Sequence, residues 1–540
     1  MANKNILLVE PGYRNKYPPL GLMKIAQYHG PNGKKDHVRF IKGEDRSASD
    51  TAWDRIYITT LFSFEWERTA RSIDFALELV GGQANRVFVG GIAASLMHDK
   101  YISEPNWRGV RFIKGLLGDA PAVSLELDPF EEELYADDVS GAPIEDLVPD
   151  YSILGHIDYQ YPVSDAYFSY TSRGCVRKCA FCGVPTLEGG QRDTHSLTHV
   201  VENVSRLYGE KRDLVLMDNN VVASANFKEI VAEIIDLGFE RGATLRRGRY
   251  NLQRRVDFNQ GVDARILCKD PMYLQQLSRI ALKPLRIAFD HLGVKKPYSQ
   301  AIRFAAEAGI TELSNYMLYN FKDNPRDLFE RMRLNVDLNE ELGVRIFSFP
   351  MRYQPVTRPD RGHVGEKWNT YFLRSMQVIL QATHGVVSGA PDFFRKAYGD
   401  TFEEFESILL RPHHYIFNRY WYEQFEGRAE FDSFQSTMKN LTENERGELV
   451  DYLCGRDKNE YETDLHVLPQ GVLREAARYF IPMPKKEEAR IWEEQKKRRV
   501  EDMGAYLVPE DERVEDAALT DEDVVPLAQR PSAGTTRACA

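Results

Sequence analysis

The sequence predicts an α/β fold in which two successive sets of alternating strands and helices precede a mostly helical region. Short apolar runs that end at glycine, proline or polar residues alternate with helical patterns over residues 1–120, and the alternation resumes from residue 165. Strands that alternate with helices predict parallel sheets covered on both faces. Beyond residue 355 the alternation stops and helical periodicity dominates.

Composition limits the class of protein. A chain of 540 residues with 43% hydrophobic and 11% aromatic residues is expected to form roughly three globular domains. The net charge of −11 argues against a general nucleic-acid binder. No apolar run approaches the roughly 20 residues of a membrane span. Six cysteines, three of them clustered, do not make a disulfide framework, so we expect a reducing, cytoplasmic setting.

The first alternating set, residues 1–125, predicts a Rossmann-like domain. Its strands are expected at residues 5–10, 38–41, 55–60, 86–89 and 110–113, with helices at 20–28 and 66–80. Ligands of such sheets bind at the carboxyl ends of the strands, where Gly90 and Gly91 follow a strand. These glycines are also explained by tight turns alone.

The remaining boundaries follow from composition. Residues 126–164 are acidic and broken by prolines, which predicts a linker, and residues 131–138 are expected to be a solvated acidic face. Six further strands are predicted within residues 165–356, at 165–172, 214–217, 255–260, 285–289, 313–319 and 345–349. Residues 357–505 form the helical region, and the acidic residues 506–540 predict a disordered tail.

Three cysteines lie just after the first strand of the second set. Cys175, Cys179 and Cys182 have the spacing C-x3-C-x2-C. A structural zinc site uses four ligands, whereas a cubane iron–sulfur cluster held by three cysteines keeps one iron open. The pattern therefore favours an iron–sulfur cluster, with structural zinc and chance clustering as alternatives.

This spacing, with Phe181 before the last cysteine, resembles the signature of the radical S-adenosylmethionine (SAM) enzymes. The resemblance implies a [4Fe-4S] cluster whose open iron chelates the amino and carboxylate groups of SAM. It implies that an electron from the cluster cleaves the sulfonium to methionine and a 5′-deoxyadenosyl radical. It also implies a partial (β/α)6 TIM-type barrel and an electron donor such as flavodoxin or ferredoxin.

The N-terminal domain resembles the cobalamin-binding domain that precedes many radical SAM enzymes. The similarity lies in a strand followed by Pro18-Pro19-Leu20-Gly21, and then strand–helix units that end in Gly90-Gly91. Cobalamin domains that ligate cobalt from below use an Asp-x-His-x-x-Gly loop after the first strand, but residues 10–19 contain no histidine. Two interpretations stay open: cobalamin binds without a lower histidine, or the domain is a scaffold or substrate platform.

The resemblance also assigns candidate cofactor contacts at the ends of the later strands. Asp218 and Asn219 would accept hydrogen bonds from the methionine ammonium, although an Asx cap on the next helix is an equal alternative. The ribose and carboxylate of SAM would be contacted by Asn259, Gln260, Asp263 and Arg265, unless Arg265 pairs structurally with Asp263. The remaining candidates are substrate contacts at Asp290, His291, Arg352, Tyr353 and Gln354, whereas Cys268 is expected to be a packed thiol.

Residues 241–255 contain six arginines, interleaved with Tyr250 and Asn251. Such a segment could hold an RNA backbone or a phosphorylated substrate. The simpler interpretation is a solvated loop that compensates the acidic surface.

The leading hypothesis is a radical SAM enzyme that acts on an unactivated carbon of a small or medium metabolite. If cobalamin binds, methyl transfer to carbon is the first candidate reaction and rearrangement the second. One alternative is a methylthiotransferase-like or other RNA-modifying enzyme, which is weakened because residues 1–174 contain no cysteine. A non-enzymatic alternative is an iron–sulfur or zinc structural protein that binds a partner.

Overall fold

The structure, a computed structural model, describes residues 3–118, 144–194, 196–387 and 389–501. The predicted disordered tail and residues 126–143 of the predicted linker, including its acidic face, lie outside the described residues. The chain forms two compact units. The first contains the residues up to Phe321 together with Asp337–Ile346 and Met351–His363, and the second contains the rest.

The N-terminal part of the first unit is a parallel sheet with helices, as the alternating pattern predicts. Its strands have the order β2-β1-β3-β4-β5, and all pair in parallel. From β1 the chain adds β2 on one side and then β3, β4 and β5 on the other, so the strand order reverses between β1 and β3. Sheets of this type bind ligands at such a reversal. The elements are β1 (Asn5–Glu10), α1 (Leu20–His29), β2 (His37–Lys42), β3 (Arg55–Thr60), α2 (Trp66–Leu79), β4 (Val87–Gly91), α3 (Ile92–Leu96), α4 (His98–Ser103) and β5 (Arg111–Phe112).

The central strand shows why this sheet forms. Ile6, Leu7, Leu8 and Val9 are all almost fully buried, so both faces of β1 are covered. A strand that is apolar on both faces is typical of a parallel sheet between two helical layers. Leu7 and Val9 belong to a core that also contains residues from α2, β4 and α3.

The second part of the first unit repeats the alternation. It contains two three-stranded sheets. The first has the order β12 (Arg255–Phe258), β9 (Asp213–Leu216), β6 (Ala166–Ser169), and the second has the order β13 (Leu285–Arg286), β14 (Glu312–Tyr319), β15 (Arg345–Arg352). Isolated parallel bridges, Val256 to Leu282 and Val262 to Ile287, join the chain around β12 to the chain around β13. The six predicted strands are thus present with neighbours in chain order, and closure into a partial TIM-type barrel stays a prediction.

The elements of this part follow in chain order, and the last helix and strand also contribute residues to the second unit. They are β6 (Ala166–Ser169), β7 (Ser172–Arg173), α5 (Val184–Leu187), β8 (Arg192–Asp193), α6 (Leu197–Tyr208), β9 (Asp213–Leu216), α7 (Phe227–Asp236), β10 (Thr244–Arg247), β11 (Tyr250–Gln253), β12 (Arg255–Phe258), α8 (Ala264–Leu267), α9 (Met272–Leu277), β13 (Leu285–Arg286), α10 (Lys295–Glu307), β14 (Glu312–Tyr319), α11 (Pro325–Leu342) and β15 (Arg345–Arg352).

The register of the first of these sheets aligns the ends of its strands. Ser169 pairs with Leu216, and Leu216 pairs with Phe258. Because the strands are parallel, the segments that follow these three residues leave the sheet at the same edge, which we call the carboxyl edge. The cysteine loop follows β6 at this edge.

The arginine-rich segment differs from its predicted form. Instead of an irregular loop, it contains the antiparallel hairpin of β10 and β11, with Arg247 paired to Tyr250 across the turn. The sequence gives little strand signal here because the run is polar and charged rather than alternating with apolar residues.

The second unit is helical over the C-terminal region, in agreement with the predicted helical pattern. A largely aromatic core, including Tyr415, Phe431 and Phe434, holds these helices together. Among the described residues, no helix has the length and hydropathy needed to cross a membrane. The helices are α12 (Thr370–Ala382), α13 (Pro391–Tyr398), α14 (Phe402–Leu409), α15 (His413–Phe417), α16 (Arg419–Gln424), α17 (Arg428–Lys439), α18 (Glu443–Cys454), α19 (Val472–Arg478) and α20 (Lys485–Glu501).

Candidate functional site

The cysteine loop is closed at its base by glycine. Gly174 has φ +73°, and a Cβ atom there would lie 2.6 Å from the carbonyl carbon of Gly190 and still closer to its oxygen. The backbone N–H of Cys175 donates to the carbonyl of Gly189 at 3.3 Å. Just outside the loop, β7 and β8 pair in antiparallel fashion. The two ends of the loop therefore lie side by side, and only glycine fits at the entry.

Glu188 closes the same base from the side. Its carboxylate accepts hydrogen bonds from the backbone N–H of Gly174 at 2.8 Å and from Nδ2 of Asn219 at 2.9 Å. Arg173 adds an ion pair with Glu188 at 3.3 Å. Asn219, a predicted cofactor contact, is thus held against the cysteine loop. The sequence alone gave no reason to select Glu188.

Asp218 positions the strand end that leads into the loop. It is 0% exposed and accepts hydrogen bonds from the backbone N–H and the hydroxyl of Thr171, at 3.0 and 2.7 Å. Ser172 donates in the same two ways, at 2.6 and 2.7 Å. Burial raises the pKa of Asp218, and these hydrogen bonds only partly offset the increase. A direct contact between Asp218 and the SAM ammonium stays a prediction.

The three thiols of the loop are partly exposed. Burial is the main factor that raises the pKa of Cys179 and Cys182, and the charges of Asp290 and of the neighbouring loop thiols add to it. The sulfur of Cys175 accepts a hydrogen bond from the backbone N–H of Arg177, and the sulfur of Cys182 accepts one from that of Val184, both at 3.4 Å. The structure therefore brings together the three cysteines that the spacing selected, with Asp290 beside them.

A carboxylate links two arginines next to the thiols. Asp263 pairs with Nε of Arg177 at 2.6 Å and with Nε of Arg265 at 2.8 Å. Although burial opposes it, hydrogen bonds from Arg265 and Arg177 lower the pKa of Asp263. The charge of Arg265 lowers the pKa of Cys179, against the larger effect of burial, and so favours the thiolate form of that cysteine. Both the Arg265–Asp263 pair and the approach of Arg265 to the cysteine loop are present.

Asn259 lies at the carboxyl edge, but its side chain contacts the N-terminal domain. Its Oδ1 accepts a hydrogen bond from the hydroxyl of Tyr17 at 2.6 Å, and its carbonyl accepts one from Tyr316 at 3.1 Å. Gln260, the next residue, is exposed at a turn. Nothing in the local sequence around Tyr17 marks it as a site residue, because its partner is 242 positions away.

An aromatic row extends from the cysteine loop. The ring of Phe181 meets Phe321 edge to face at 5.6 Å, Phe321 meets Tyr353 at 4.7 Å, and Tyr353 meets His363 at 5.2 Å. Burial raises the pKa of Tyr353, whereas burial and the charge of Arg358 lower the pKa of His363. This row is an apolar wall beside the loop, and it ends in a neutral imidazole. His291, in contrast, is exposed.

Large apolar side chains are also exposed near this edge. Val176 in the loop is 51% exposed, Ile92 after β4 is 40% exposed and Met351 near the end of β15 is 50% exposed. Helix α3 of the N-terminal domain packs on the short helix after the cysteines, where a Cβ on Gly183 would lie 2.8 Å from Leu96. Exposed apolar groups around a polar centre are typical of a ligand-binding surface.

Comparison with known proteins gives structural similarity only. No protein-family model and no curated protein matches the chain. The radical SAM methyltransferase TsrM from Kitasatospora setae, solved with cobalamin and a [4Fe-4S] cluster, matches with 15% identity and a TM-score of 0.44, over 66% of this chain and 77% of its own. The cobalamin-dependent SAM radical enzyme OxsB matches with 12% identity and a TM-score of 0.44, over 95% and 82% of the two chains.

A third match, SuiB from Streptococcus suis bound to SAM, has 13% identity and a TM-score of 0.27, over 46% of this chain and 56% of its own. The chain is structurally similar to cobalamin-dependent radical SAM enzymes. Because these scores lie below 0.5, we base the functional proposal on the residues of the site.

The donor set of the loop fits an iron–sulfur cluster. Among the described residues, no group of three or more His, Cys, Asp or Glu side chains is arranged to hold a metal ion. A single zinc ion would need its thiolates about 2.3 Å from one point, whereas a cubane spreads three thiolates over three iron atoms. Three thiols on one closed loop suit the second arrangement. Cys268, at the end of α8, is not part of this loop.

The carboxyl ends of β1 and β2 are filled by the protein itself. Glu10 is fully buried, pairs with Nζ of Lys42 at 2.7 Å and accepts hydrogen bonds from Nδ2 of Asn15 at 3.1 Å and from the hydroxyl of Tyr161. The ammonium of Lys42 also lies 4.5 Å from the ring centre of Tyr159. Residues 11–19, which follow β1, contain no histidine, so this loop offers no imidazole to a cobalt ion.

Proposed function

We propose that this chain is a radical SAM enzyme in which Cys175, Cys179 and Cys182 hold a [4Fe-4S] cluster and SAM binds at its open iron. The observation that carries the proposal is the closed loop that presents three thiols at the carboxyl edge of a parallel sheet. When bound, such a cluster supplies the electron that cleaves the sulfonium of SAM. A flavodoxin or ferredoxin would deliver that electron.

The chain's own residues would hold and orient the reactants. Gly174 and Glu188 fix the base of the loop, so the thiols are presented on a rigid support. Arg265 favours the thiolate of Cys179 through its positive charge. Asn219, Asn259 and Gln260 lie at the same edge and offer amide groups to the polar parts of SAM.

The aromatic row supports a substrate that is a small or medium metabolite with an unactivated carbon. Phe181, Phe321 and Tyr353 form an apolar wall that would keep water away from a reactive carbon radical. Asp290 beside the thiols and His363 at the end of the row provide polar groups that could orient such a substrate. Methyl transfer is the reaction we favour if cobalamin binds.

The test is anaerobic reconstitution with iron and sulfide, followed by reduction in the presence of SAM. We expect 5′-deoxyadenosine or S-adenosylhomocysteine to form, and we expect cluster absorbance to be lost in single alanine variants of the three loop cysteines. Cys268→Ala is the matched control and should retain both cluster and products. Absence of both products from a fully loaded protein would exclude this function.

Cobalamin is a separate part of the proposal with its own test. We propose that a corrin, if it binds, does so at the N-terminal sheet without a protein histidine from residues 11–19. The reconstituted protein is mixed with hydroxocobalamin and passed through gel filtration, and retained corrin absorbance would support binding. If the protein emerges without corrin yet still cleaves SAM, the sheet is a scaffold or substrate platform.

A further inference from the structure

Residues 241–255, which we call the arginine ribbon, form a regular element that the proposed reaction does not use. Strands β10 and β11 pair from Thr244–Gln253 to Arg247–Tyr250, and the turn contains Gly248 with φ +57°. The ribbon holds six arginines and no acidic residue, within a chain of net charge −11. This is a strong local reversal of the overall charge.

Two of the arginines attach the ribbon to the body of the unit. Arg247 pairs with Asp165 at 2.6 Å. Arg254 is buried, pairs with Glu210 and lies 4.5 Å above the ring of Phe239. The ribbon is therefore presented on fixed contacts and is not a loose loop.

The other four arginines face solvent without a balancing acid. Within the described part of the chain, Arg241, Arg246, Arg249 and Arg255 are exposed and make no ion pair. Three of them donate hydrogen bonds to neutral groups. Arg241 donates to the carbonyl of Gly309 at 3.2 Å, Arg246 to the carbonyl of Gly248 at 3.4 Å and Arg249 to the hydroxyl of Tyr250 at 3.1 Å. Four uncompensated cations on one rigid element favour the binding of a polyanion.

The other side chains of the ribbon narrow the class of polyanion. Successive residues of a strand alternate between faces, so Thr244, Arg246, Asn251 and Gln253 share one face, and all four are exposed. Tyr250 pairs with Arg247 at the turn, on the opposite face of the ribbon, and is 60% exposed. Cations for phosphates, amides for base edges and an exposed ring for stacking are the three contact types that single-stranded nucleic acids use. An acidic polypeptide would need only the cations.

The position of the ribbon separates it from the reaction site. It leads into the amino end of β12, where Arg255 pairs in register with Asp213, whereas the cysteine loop lies at the carboxyl edge. We propose that the arginine ribbon binds a single-stranded phosphodiester chain, at a surface distinct from the SAM site. This goes beyond the proposed function and does not depend on it.

The test is fluorescence anisotropy of a labelled short oligouridine, and of the matching oligothymidine, titrated with the full-length protein. The logarithm of the binding constant should fall linearly with the logarithm of the salt concentration. Each phosphate contact contributes about −0.7 to the slope, so contacts from all four exposed arginines give a slope of about −2.8. The tighter of the two oligomers identifies RNA or DNA as the natural strand. No binding of either oligomer at about 50 mM salt overturns the proposal.

Variants distinguish specific contacts from general attraction. Arg246→Gln, Arg249→Gln or Arg255→Gln should each reduce the slope by about 0.7. Tyr250→Ala should weaken binding about tenfold and leave the slope unchanged. The matched control is Arg108→Gln, which removes the same charge from an exposed arginine of the N-terminal domain and should change neither quantity. An equal effect of Arg108→Gln, or oligoglutamate that binds as tightly as the oligonucleotides, would refute the assignment.

Discussion

Replacing Gly174 by alanine should disable the cysteine loop while the rest of the protein stays folded. The residue has φ +73°, and its new Cβ would approach the backbone of Gly190 to 2.6 Å or less. Placing alanine in the left-handed region costs about 1–2 kcal/mol. Because the opposing atoms belong to backbone, overpacking adds about 1–3 kcal/mol. We therefore expect a local cost of about 2–5 kcal/mol at the base of the loop.

Gly189 provides a control in the same loop base. Its φ is +75°, but a Cβ there would meet no atom within 4 Å. Gly189→Ala should therefore cost only the left-handed strain of about 1–2 kcal/mol. The difference in stability cost between the two variants therefore measures the steric clash separately from the strain of the left-handed backbone.

The assay is iron and sulfide content after reconstitution with limiting iron, combined with thermal unfolding. Each 1.4 kcal/mol lost from the loaded state weakens cluster retention about tenfold. Gly174→Ala should lose most of its cluster, whereas Gly189→Ala should retain a substantial share. Equal iron contents in the two variants would show that the close approach of Gly174 to Gly190 does not hold the loop, and the reasoning would fail.

Three further predictions concern other parts of the chain. Asp218→Ala should lower iron content after reconstitution more than Asp218→Asn does, because the amide still accepts some of the buried hydrogen bonds. Tyr17→Phe should weaken SAM binding about fivefold at unchanged iron content, since Asn259 loses a hydrogen bond worth about 1 kcal/mol. Burial lowers the pKa of His413 to about 3 and of His414 to about 4. The unfolded chain therefore takes up protons first as pH falls below about 6.5. In urea unfolding, the free energy of unfolding should therefore fall by up to about 2 kcal/mol per histidine by pH 5. This decrease should be smaller in His414→Phe.

The N-terminal sheet could be predicted from sequence because its signals are local. Short apolar and β-branched runs predicted the strands of residues 5–10 and 55–60, which match Asn5–Glu10 and Arg55–Thr60. The helix at residues 66–80 is observed as Trp66–Leu79. In these elements, burial of both sheet faces and the helical period dictate the pattern, so no distant contact was needed.

The supports of the site could not be predicted because they join distant segments. The carboxylate of Asp218 accepts hydrogen bonds from Thr171 and Ser172, just after β6, instead of capping the helix that follows it. Glu188 was not selected because its partners become neighbours only when the loop closes. The three cysteines could be selected because their spacing within one loop is a property of the sequence alone, and their role as cluster ligands stays a prediction.

The N-terminal domain has a role in the site that does not depend on a corrin. The hydroxyl of Tyr17 donates a hydrogen bond to the side-chain oxygen of Asn259. Leu96 packs against Gly183, the residue after the last loop cysteine. The guanidinium of Arg361, after the last strand, lies 4.0 Å from the ring centre of Phe64 in the same domain. The domain thus contacts the carboxyl edge through Tyr17 and Leu96, and the chain after β15 through Phe64. Loss of activity on deleting it would therefore not identify a cobalamin enzyme, whereas Tyr17→Phe separates the structural contribution from corrin binding.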